Sequence, residues 1–294
     1  MALSAERLAL VTRSVEALED SARYKSLALN GLHKAIHSFS KENADAVLCA
    51  SICLGYHPSN WRGLMAIMHG ISTITRQMRP WAGESGFSSY LDQRSPHNQF
   101  EEHTSSRNEA DPTQAVGYRN TLLEMLLPQG IKSLNQLASS AQSDTNISAM
   151  IRQLRDILRL VYERHSSGWS VAEQYQLIYP FSSWMTKYSI SFISISEGDI
   201  FVLTTLAHFF AVVVTLAIAF PAIDIPLFVS IRIKGIIEAS HILRGTPEIF
   251  CDICGTFHYH NELMDYPLNT VHAHRKLWGN KLDIATVHQD SIDV

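Results

Sequence analysis

The sequence lacks the features by which several functional classes are recognised. It has no Lys/Arg cluster, and 28 acidic residues outnumber 24 basic ones, which gives a formal charge of −4. Binding to a phosphate backbone requires a basic face, so we expect no direct contact with nucleic acid. The chain also contains no GxSxG nucleophile elbow, no GxxxxGK[ST] phosphate loop and no GxGxxG dinucleotide motif. An enzyme without these motifs would have to act by shaping a hydrophobic substrate in a cavity, with one acid–base residue such as His208 or His69.

Cysteine is scarce as well. The four cysteines form two close pairs, Cys49 with Cys53 and Cys251 with Cys254. This density is too low for a disulfide scaffold and favours a reducing, intracellular compartment. The first 20 residues lack the basic and apolar regions of a signal peptide. Cys49 and Cys53 are four residues apart on an apolar helical face, where we expect them to be buried by packing.

Helical periodicity dominates, and no stretch has a sustained period of two. The pattern predicts an all-α, multi-helix layered bundle with a central hydrophobic helix, formed by residues 1–294 as one domain. Polar residues at 82–113 predict a flexible linker within it, and residues 246–294 a tail that contains Cys and His. Two predicted helical faces are those of Leu3, Leu10, Val11 and Leu18 in a first helix, and of Met150, Leu154, Ile157, Leu158 and Val161 in a later one.

Residues Ile200–Phe220 form an uncharged run of 21 positions. The run meets the length criterion for a membrane span, and its large apolar residues sum to roughly −4 to −8 kcal/mol on an insertion scale. Its flanks are acidic, however, with Glu197 and Asp199 before it and Asp224 after it. Since no basic cluster marks a cytoplasmic side, we favour a buried helix of the bundle and keep a span as the alternative.

Small and polar residues recur along one stripe of this helix at steps of four, three and four: Thr204, His208, Ala211 and Thr215. The stripe is our candidate ligand-binding site, because it would offer hydroxyls and an imidazole to a cavity. His208, among large apolar groups, needs a polar partner. A hydrogen bond to a neighbouring helix would satisfy it as well as a ligand, and the threonines could bond to carbonyls four residues earlier. The structural role is the favoured one for His208.

The C-terminal part carries a candidate metal site. Cys251-x2-Cys254 is followed by several histidines, so zinc is a possible cofactor, with Cys251, Cys254, His272 and His274 as ligands. A knuckle closed by His258 and His260 is the alternative. The pattern is similar to a Cys2His2 finger, but Pro267 is expected to interrupt the helix of such a finger. The competing interpretation is a pair of reduced thiols beside a histidine-rich segment.

Three stretches of the chain carry a resemblance: ARYKSLALNGLHKAIHSFSKENADAVLCASICL, WRGLMAIMHGISTI and FSSWMTKYSISFISISEGDIFVLTTLAHFFAVVV. Their specific parts are the step from Asn43 to Ala46, the approach to Trp184 and the run Leu206–Phe209. With these residues the chain resembles the C-terminal regulatory domain of fungal binuclear-zinc-cluster transcription factors of the sterol uptake control type. The resemblance covers roughly residues 1–80 and 145–244.

The resemblance implies an all-helical, often dimeric domain that holds a hydrophobic ligand and controls gene expression, in the nucleus or the cytoplasm. The cysteine cluster that binds DNA in that family is missing here, since only Cys49 and Cys53 lie in the N-terminal half. We therefore expect a regulator-like protein that binds a hydrophobic small molecule or a protein partner, either a second copy or a transcription factor. One alternative is a secondary-metabolism enzyme of the cyclase or isomerase type. The other is a membrane-associated protein.

Overall fold

A computed structural model describes residues 1–55, 61–91, 112–140, 145–164, 168–174, 176–178, 200–220, 226–244, 250–251, 256–257 and 260–278. These residues form two compact units, one within residues 1–91 and one within residues 112–278. Ten long or short α-helices dominate the described residues, and the two strands have only two residues each. The predicted all-α class is confirmed.

The first unit contains five α-helices and a 3₁₀ segment. The helices are α1 (Ala2–Thr12), α2 (Val15–His37), α3 (Ala44–Gly55), α4 (Trp61–Met78) and α5 (Ser88–Leu91), and the 3₁₀ segment, Arg79–Glu84, follows α4. Helix α4 ends at Met78 and Pro80 lies at the start of the 3₁₀ segment, as a helix-terminating proline requires.

The first predicted helix is broken. Arg13 adopts a left-handed conformation with φ of 58°, and the Ser14 side chain accepts a hydrogen bond from the backbone N–H of Ala17 at 3.2 Å. Ser14 is thus the N-cap of a new helix. The predicted apolar face is also wrong where it crosses this break, because Val11 and Leu18 are 70% and 40% exposed.

The core of the first unit lies between α3 and α4, where Val47, Leu48, Ile71 and Met78 are buried with Ala44 and Ile74. The turn that leads into α3 is held by side chains. Asn43 accepts from the backbone N–H of Ser40 at 2.9 Å and donates to the carbonyl of Ser38 at 2.9 Å. The Asp45 carboxylate accepts from the Ser85 hydroxyl and from the N–H of Gly86. These bonds tie the start of α3 to both of its flanks.

Cys49 and Cys53 do not pack in this core. Both are exposed, whereas Val47, Leu48, Ser51 and Leu54 form the buried face of α3. The prediction of buried cysteines is therefore wrong, because the apolar face of α3 is a quarter-turn to half-turn away from positions 49 and 53. Partial desolvation of the otherwise exposed side chain, and the neighbouring Cys49 one turn earlier, raise the pKa of the Cys53 thiol.

Among the described residues, the second unit has five long helices: α6 (Pro112–Ser140), α7 (Thr145–Arg164), α8 (Ile200–Ala219), α9 (Pro226–Arg244) and α10 (His260–Trp278). Residues 171–174 and 176–178 are also helical. Helix α8 is central, since α6, α7, α9 and α10 all pack against it. A short antiparallel pair of strands, β1 (Phe250–Cys251) and β2 (Thr256–Phe257), precedes α10 and pairs Phe250 with Phe257. The predicted helical face on α7 is confirmed for the four residues that are fully enclosed, Met150, Leu154, Leu158 and Val161.

Helix α8 has the length and apolar composition of a membrane span, yet 94% of its most apolar window is buried within the fold. Neighbouring helices therefore cover the apolar side chains. The predicted central hydrophobic helix has the bounds that the uncharged run suggested, and Phe220 follows it as a buried residue.

Two segments predicted from composition, a linker and a tail, overlap helices. The segment predicted as a linker, 82–113, begins in the 3₁₀ segment, includes α5 and ends inside α6. Its middle part, residues 92–111, lies outside the described residues. The segment predicted as a tail, 246–294, contains α10, which contributes Met264, Tyr266 and Val271 to the buried interior.

Two helices of the second unit contain a proline. Pro128 lies inside α6 and Pro267 inside α10. The expectation that Pro267 would interrupt its helix is wrong. Because proline has no N–H, the carbonyl of Leu263, one turn earlier, lacks its usual helical donor. That carbonyl lies next to Ser133 of α6.

Candidate functional site

The predicted stripe on α8 is one continuous buried face. Thr204, His208, Ala211 and Thr215 are each 0–1% exposed. The structure therefore brings the four predicted ligand-binding residues together on one side of the helix. Their polar atoms are directed to partners on α6, on α10 and in α8 itself.

His208 makes two hydrogen bonds within the protein. Its Nδ1 lies 2.8 Å from the carbonyl oxygen of Thr204, and its Nε2 lies 2.7 Å from the hydroxyl of Ser133 on α6. A carbonyl only accepts, so Nδ1 carries the proton of the neutral ring. Nε2 then accepts a hydrogen bond from the Ser133 hydroxyl. Both ring nitrogens are satisfied, and one tautomer is fixed.

Ser133 connects this imidazole to the proline-containing helix. Its hydroxyl oxygen is 3.4 Å from the carbonyl of Leu263, the group that Pro267 leaves without a helical donor. The single hydroxyl proton is directed to Nε2 of His208, where the distance is shorter. Ser133 therefore lies where α6, α8 and α10 meet.

Burial governs the protonation of His208. The ring is completely enclosed, and this desolvation lowers its pKa to about 4, although the bond to the Thr204 carbonyl favours the charged form. At neutral pH the imidazole is uncharged. The ring is also inaccessible to solvent, whereas acid–base catalysis on an external substrate would require an accessible group.

A second buried pair lies two turns further along α8. The Thr215 hydroxyl donates to the carbonyl of Ala211 at 2.9 Å and lies 2.9 Å from the hydroxyl of Tyr266 on α10. Because the Thr215 proton is used by Ala211, Tyr266 donates to Thr215. Desolvation raises the pKa of Tyr266 well above its usual range, so the phenol stays protonated.

A glycine makes room for the Tyr266 ring. A Cβ atom at Gly130 of α6 would lie 2.6 Å from Cζ of Tyr266 and 2.7 Å from Cδ1 of Leu158. No side chain larger than hydrogen fits there without displacing an aromatic ring or a core leucine. Gly130, Tyr266 and Thr215 thus form one closely packed contact between three helices.

Sequence reasoning missed Ser133, Tyr266 and Gly130. The His208 partner is 75 positions away in sequence and the Thr215 partner is 51 positions away, so helical periodicity gave no signal for either. A buried polar residue predicts that a partner exists without identifying it. The Thr204 hydroxyl, by contrast, bonds to the carbonyl of Ile200 at 2.7 Å, which is the predicted local alternative.

These contacts favour the structural role of the stripe. Its imidazole and hydroxyls already have protein partners, so a ligand would have to displace Ser133 or Tyr266 from them. Ligand binding by Thr204, His208, Ala211 and Thr215 stays a prediction. The arrangement itself fixes how α6, α8 and α10 are aligned.

The predicted zinc ligands are only partly described. Cys254 lies outside the described residues, and for Cys251 the structure describes the backbone in β1. On α10, His272 is exposed and His274 is 2% exposed, as expected for positions two apart, which do not share a face. Among the described residues, no group of three or more His, Cys, Asp or Glu side chains could hold a metal ion. Zinc binding stays a prediction.

The hydrogen bond between Tyr266 and Thr215 provides a test of the buried contact. We expect Tyr266→Phe to lower the free energy of unfolding by about 1–2 kcal/mol, because a buried hydrogen bond is lost while the ring stays packed. Thr215→Val should have a cost of similar size. Urea unfolding of both single variants and the double variant should give a smaller combined loss than the sum of the two. Additive losses would contradict a direct interaction.

Comparisons of the chain with protein-family models, with curated proteins and with solved structures gave no match in any of the three.

Proposed function

We propose that this chain is a transcription-regulator-like protein that acts by binding a protein partner. The observation that carries the proposal is the distribution of exposed apolar side chains. Four of them lie on one stripe of α2 and are 40–58% exposed: Val15, Leu18, Leu29 and Ile36. Exposed apolar residues that are contiguous indicate an interaction surface.

The enclosure of His208 supports binding over catalysis. An enzyme acting on a hydrophobic substrate would use His208 of α8 as its acid–base residue. His208 is 0% exposed, and both of its ring nitrogens already make hydrogen bonds within the protein. A general acid or base must come within hydrogen-bond reach of its substrate. We propose the exposed stripe of α2 as the binding surface for that partner.

The proposed regulatory role comes from the resemblance of residues 1–80 and 145–244 to the fungal regulatory domain. The formal charge of −4 supports contact with DNA through a partner and not through this chain's own surface. The protein would then act in the nucleus whenever it meets that partner. A hydrophobic small molecule remains the other proposed ligand class, at the α8 stripe.

A reporter assay tests this proposal. The full chain is fused to an unrelated DNA-binding domain and expressed in a fungal host with a reporter gene. We expect reporter expression to change when the fusion is present and the change to disappear in the double variant Leu18→Glu/Leu29→Glu. The matched control is Leu27→Glu, which changes an exposed leucine of α2 on the other side of the helix. An expressed fusion without any effect on the reporter would overturn the proposal.

A further inference from the structure

We infer that His33 and His37, near the C-terminal end of α2, form a binding site for a divalent transition-metal cation such as Zn²⁺. Both side chains are exposed, and they lie four residues apart, one turn from each other on the same face of the helix. Histidines at this helical spacing can present a nitrogen each to one metal ion. The site belongs to the first unit and shares no residue with the zinc site predicted around Cys251 and Cys254.

The separation of the two rings matches chelation of one ion. The ring centroids of His33 and His37 are 4.6 Å apart, and the rings are inclined to each other at 44°. Two imidazoles with nitrogen–metal distances of about 2.0–2.1 Å have centroids about 4.5–5 Å apart when the angle at the metal lies between roughly 90° and the tetrahedral value. The observed separation falls within that range, so both rings can reach one ion with little rearrangement of the side chains.

A hydrogen bond to the backbone prepares His37 as a ligand. Its Nδ1 lies 3.1 Å from the carbonyl oxygen of His33. Because a carbonyl only accepts, Nδ1 carries the proton of the neutral ring, and the lone pair of Nε2 is left for a metal ion. Histidines that bind metals commonly donate their other ring N–H to a backbone carbonyl or a carboxylate, which fixes the tautomer and the orientation of the ring.

The electrostatic surroundings suit a cation. His37 is the last residue of α2, where the helix dipole places a partial negative charge. The ammonium group of Lys41 is paired with the carboxylate of Glu84 at 2.6 Å. Lys34 is the other basic residue of the last turn, and its exposed, flexible side chain can direct the ammonium group into solvent. A bound cation would therefore be stabilised by the end of the helix.

The type of ligand selects the class of metal. Neutral imidazole nitrogen suits Zn²⁺, Cu²⁺ and Ni²⁺, whereas Mg²⁺ and Ca²⁺ prefer oxygen ligands. The described part of the chain has no group of three or more His, Cys, Asp or Glu side chains that could hold a metal ion. His33 and His37 would therefore supply two positions and water the others, as in an exchangeable site.

Metal binding would fasten the end of α2. The helix ends at His37, and the Asn43 side chain holds the following turn by its bonds to Ser38 and Ser40. Both imidazoles reach the same ion only while the last two turns of α2 are helical. A cation that binds this conformation and not the unfolded one stabilises it. The site would thus reinforce the connection from α2 to α3.

Nitrogen NMR of the histidine side chains of the full chain, during a titration with Zn²⁺, tests the site. We expect the signals of His33 and His37 to shift together with one common dissociation constant, below about 100 μM. For His37 the Nε2 signal should move while Nδ1 keeps its proton. Mg²⁺ at the same concentrations should shift neither ring. Two rings that respond at different Zn²⁺ concentrations, or do not respond, would overturn the inference.

Two variants distinguish chelation from binding by single histidines. His33→Ala should raise the dissociation constant measured on His37 by about tenfold or more, because the second ligand no longer acts at a high effective concentration. The spacing variant His33→Ala/Ile36→His keeps two exposed histidines but places them next to each other, where they do not share a face. Ile36 is 44% exposed, so its replacement leaves the core intact. If the spacing variant bound Zn²⁺ as tightly as the wild type, the inference would fail.

His241→Ala is the matched control. His241 is an exposed histidine in the last turn of α9, with no histidine three or four residues away. This change should leave the dissociation constant measured on His33 and His37 at its wild-type value. A loss of tenfold or more, on the order of that expected for His33→Ala, would assign the response to a different site. Equal thermal midpoints of all variants without Zn²⁺ would show that folding is intact.

Discussion

Gly130→Ala is expected to be the most destabilising single-methyl change in the second unit. The added Cβ would lie 2.6 Å from the Tyr266 ring and 2.7 Å from Leu158, distances that force an aromatic ring or a core side chain to move. Overpacking costs about 1–3 kcal/mol, and contacts this short belong at the upper end of that range, which exceeds the gain of about 1 kcal/mol that alanine brings to a helix. We expect a net loss of about 2 kcal/mol in the free energy of unfolding by urea.

Gly117→Ala is the matched control because Gly117 lies in the same helix with nothing within 4 Å of an added Cβ. This change should stabilise the protein by about 0.5–1 kcal/mol through helix propensity alone. In a Tyr266→Leu background, which removes the ring that meets the new methyl, Gly130→Ala should cost less than in the wild type. Equal effects at positions 117 and 130 would show that Tyr266 does not pack on Gly130.

Acid is expected to destabilise the folded chain between pH 6.5 and about pH 4. Burial lowers the pKa of both His208 and His274 from 6.5 to about 4 in the folded state. Over that interval the unfolded chain binds more protons than the folded one, so the free energy of unfolding falls as the pH falls. For His208 the loss is about 3 kcal/mol, complete near pH 4, and His274 acts in the same direction.

Urea unfolding at several pH values measures this effect. His208→Asn should be less stable than the wild type at pH 7, because it leaves a cavity and disturbs the bond to Ser133, but its stability should fall less steeply toward pH 4. His274→Asn should flatten the curve separately. The slope between pH 6.5 and pH 4 is the decisive quantity, since a cavity shifts the whole curve without changing its slope. An unchanged slope in both variants would contradict buried, neutral imidazoles.

The helical architecture could be predicted because it depends on local periodicity. The bounds of α8 and the buried face of α7 follow from the spacing of apolar residues, and both are confirmed. The break at Arg13 was not predicted, since Ser14 is a capping residue without a proline or glycine beside it to signal the stop. The exposure of Cys49 and Cys53 was also missed, because α3 is apolar on more than one face.

Only the α8 residues of the candidate site could be predicted from the sequence. The stripe on α8 follows from its own spacing, but its partners come from α6 and α10, far away in sequence. Pro267 was expected to end a helix, whereas α10 continues through it and Ser133 approaches the carbonyl that the proline leaves unsatisfied. Tertiary packing brings Ser133 to this carbonyl, and local sequence patterns do not record it.

The central claim is that the polar stripe of α8 belongs to the internal packing of the second unit. Nitrogen NMR of the His208 imidazole across a pH series tests this claim most directly. The contacts predict a neutral ring with its proton on Nδ1, slow exchange of that proton with water, and a pKa of about 4. An imidazole that exchanges rapidly and titrates near the ordinary value of 6.5 would contradict the account and place His208 in a solvent-accessible cavity.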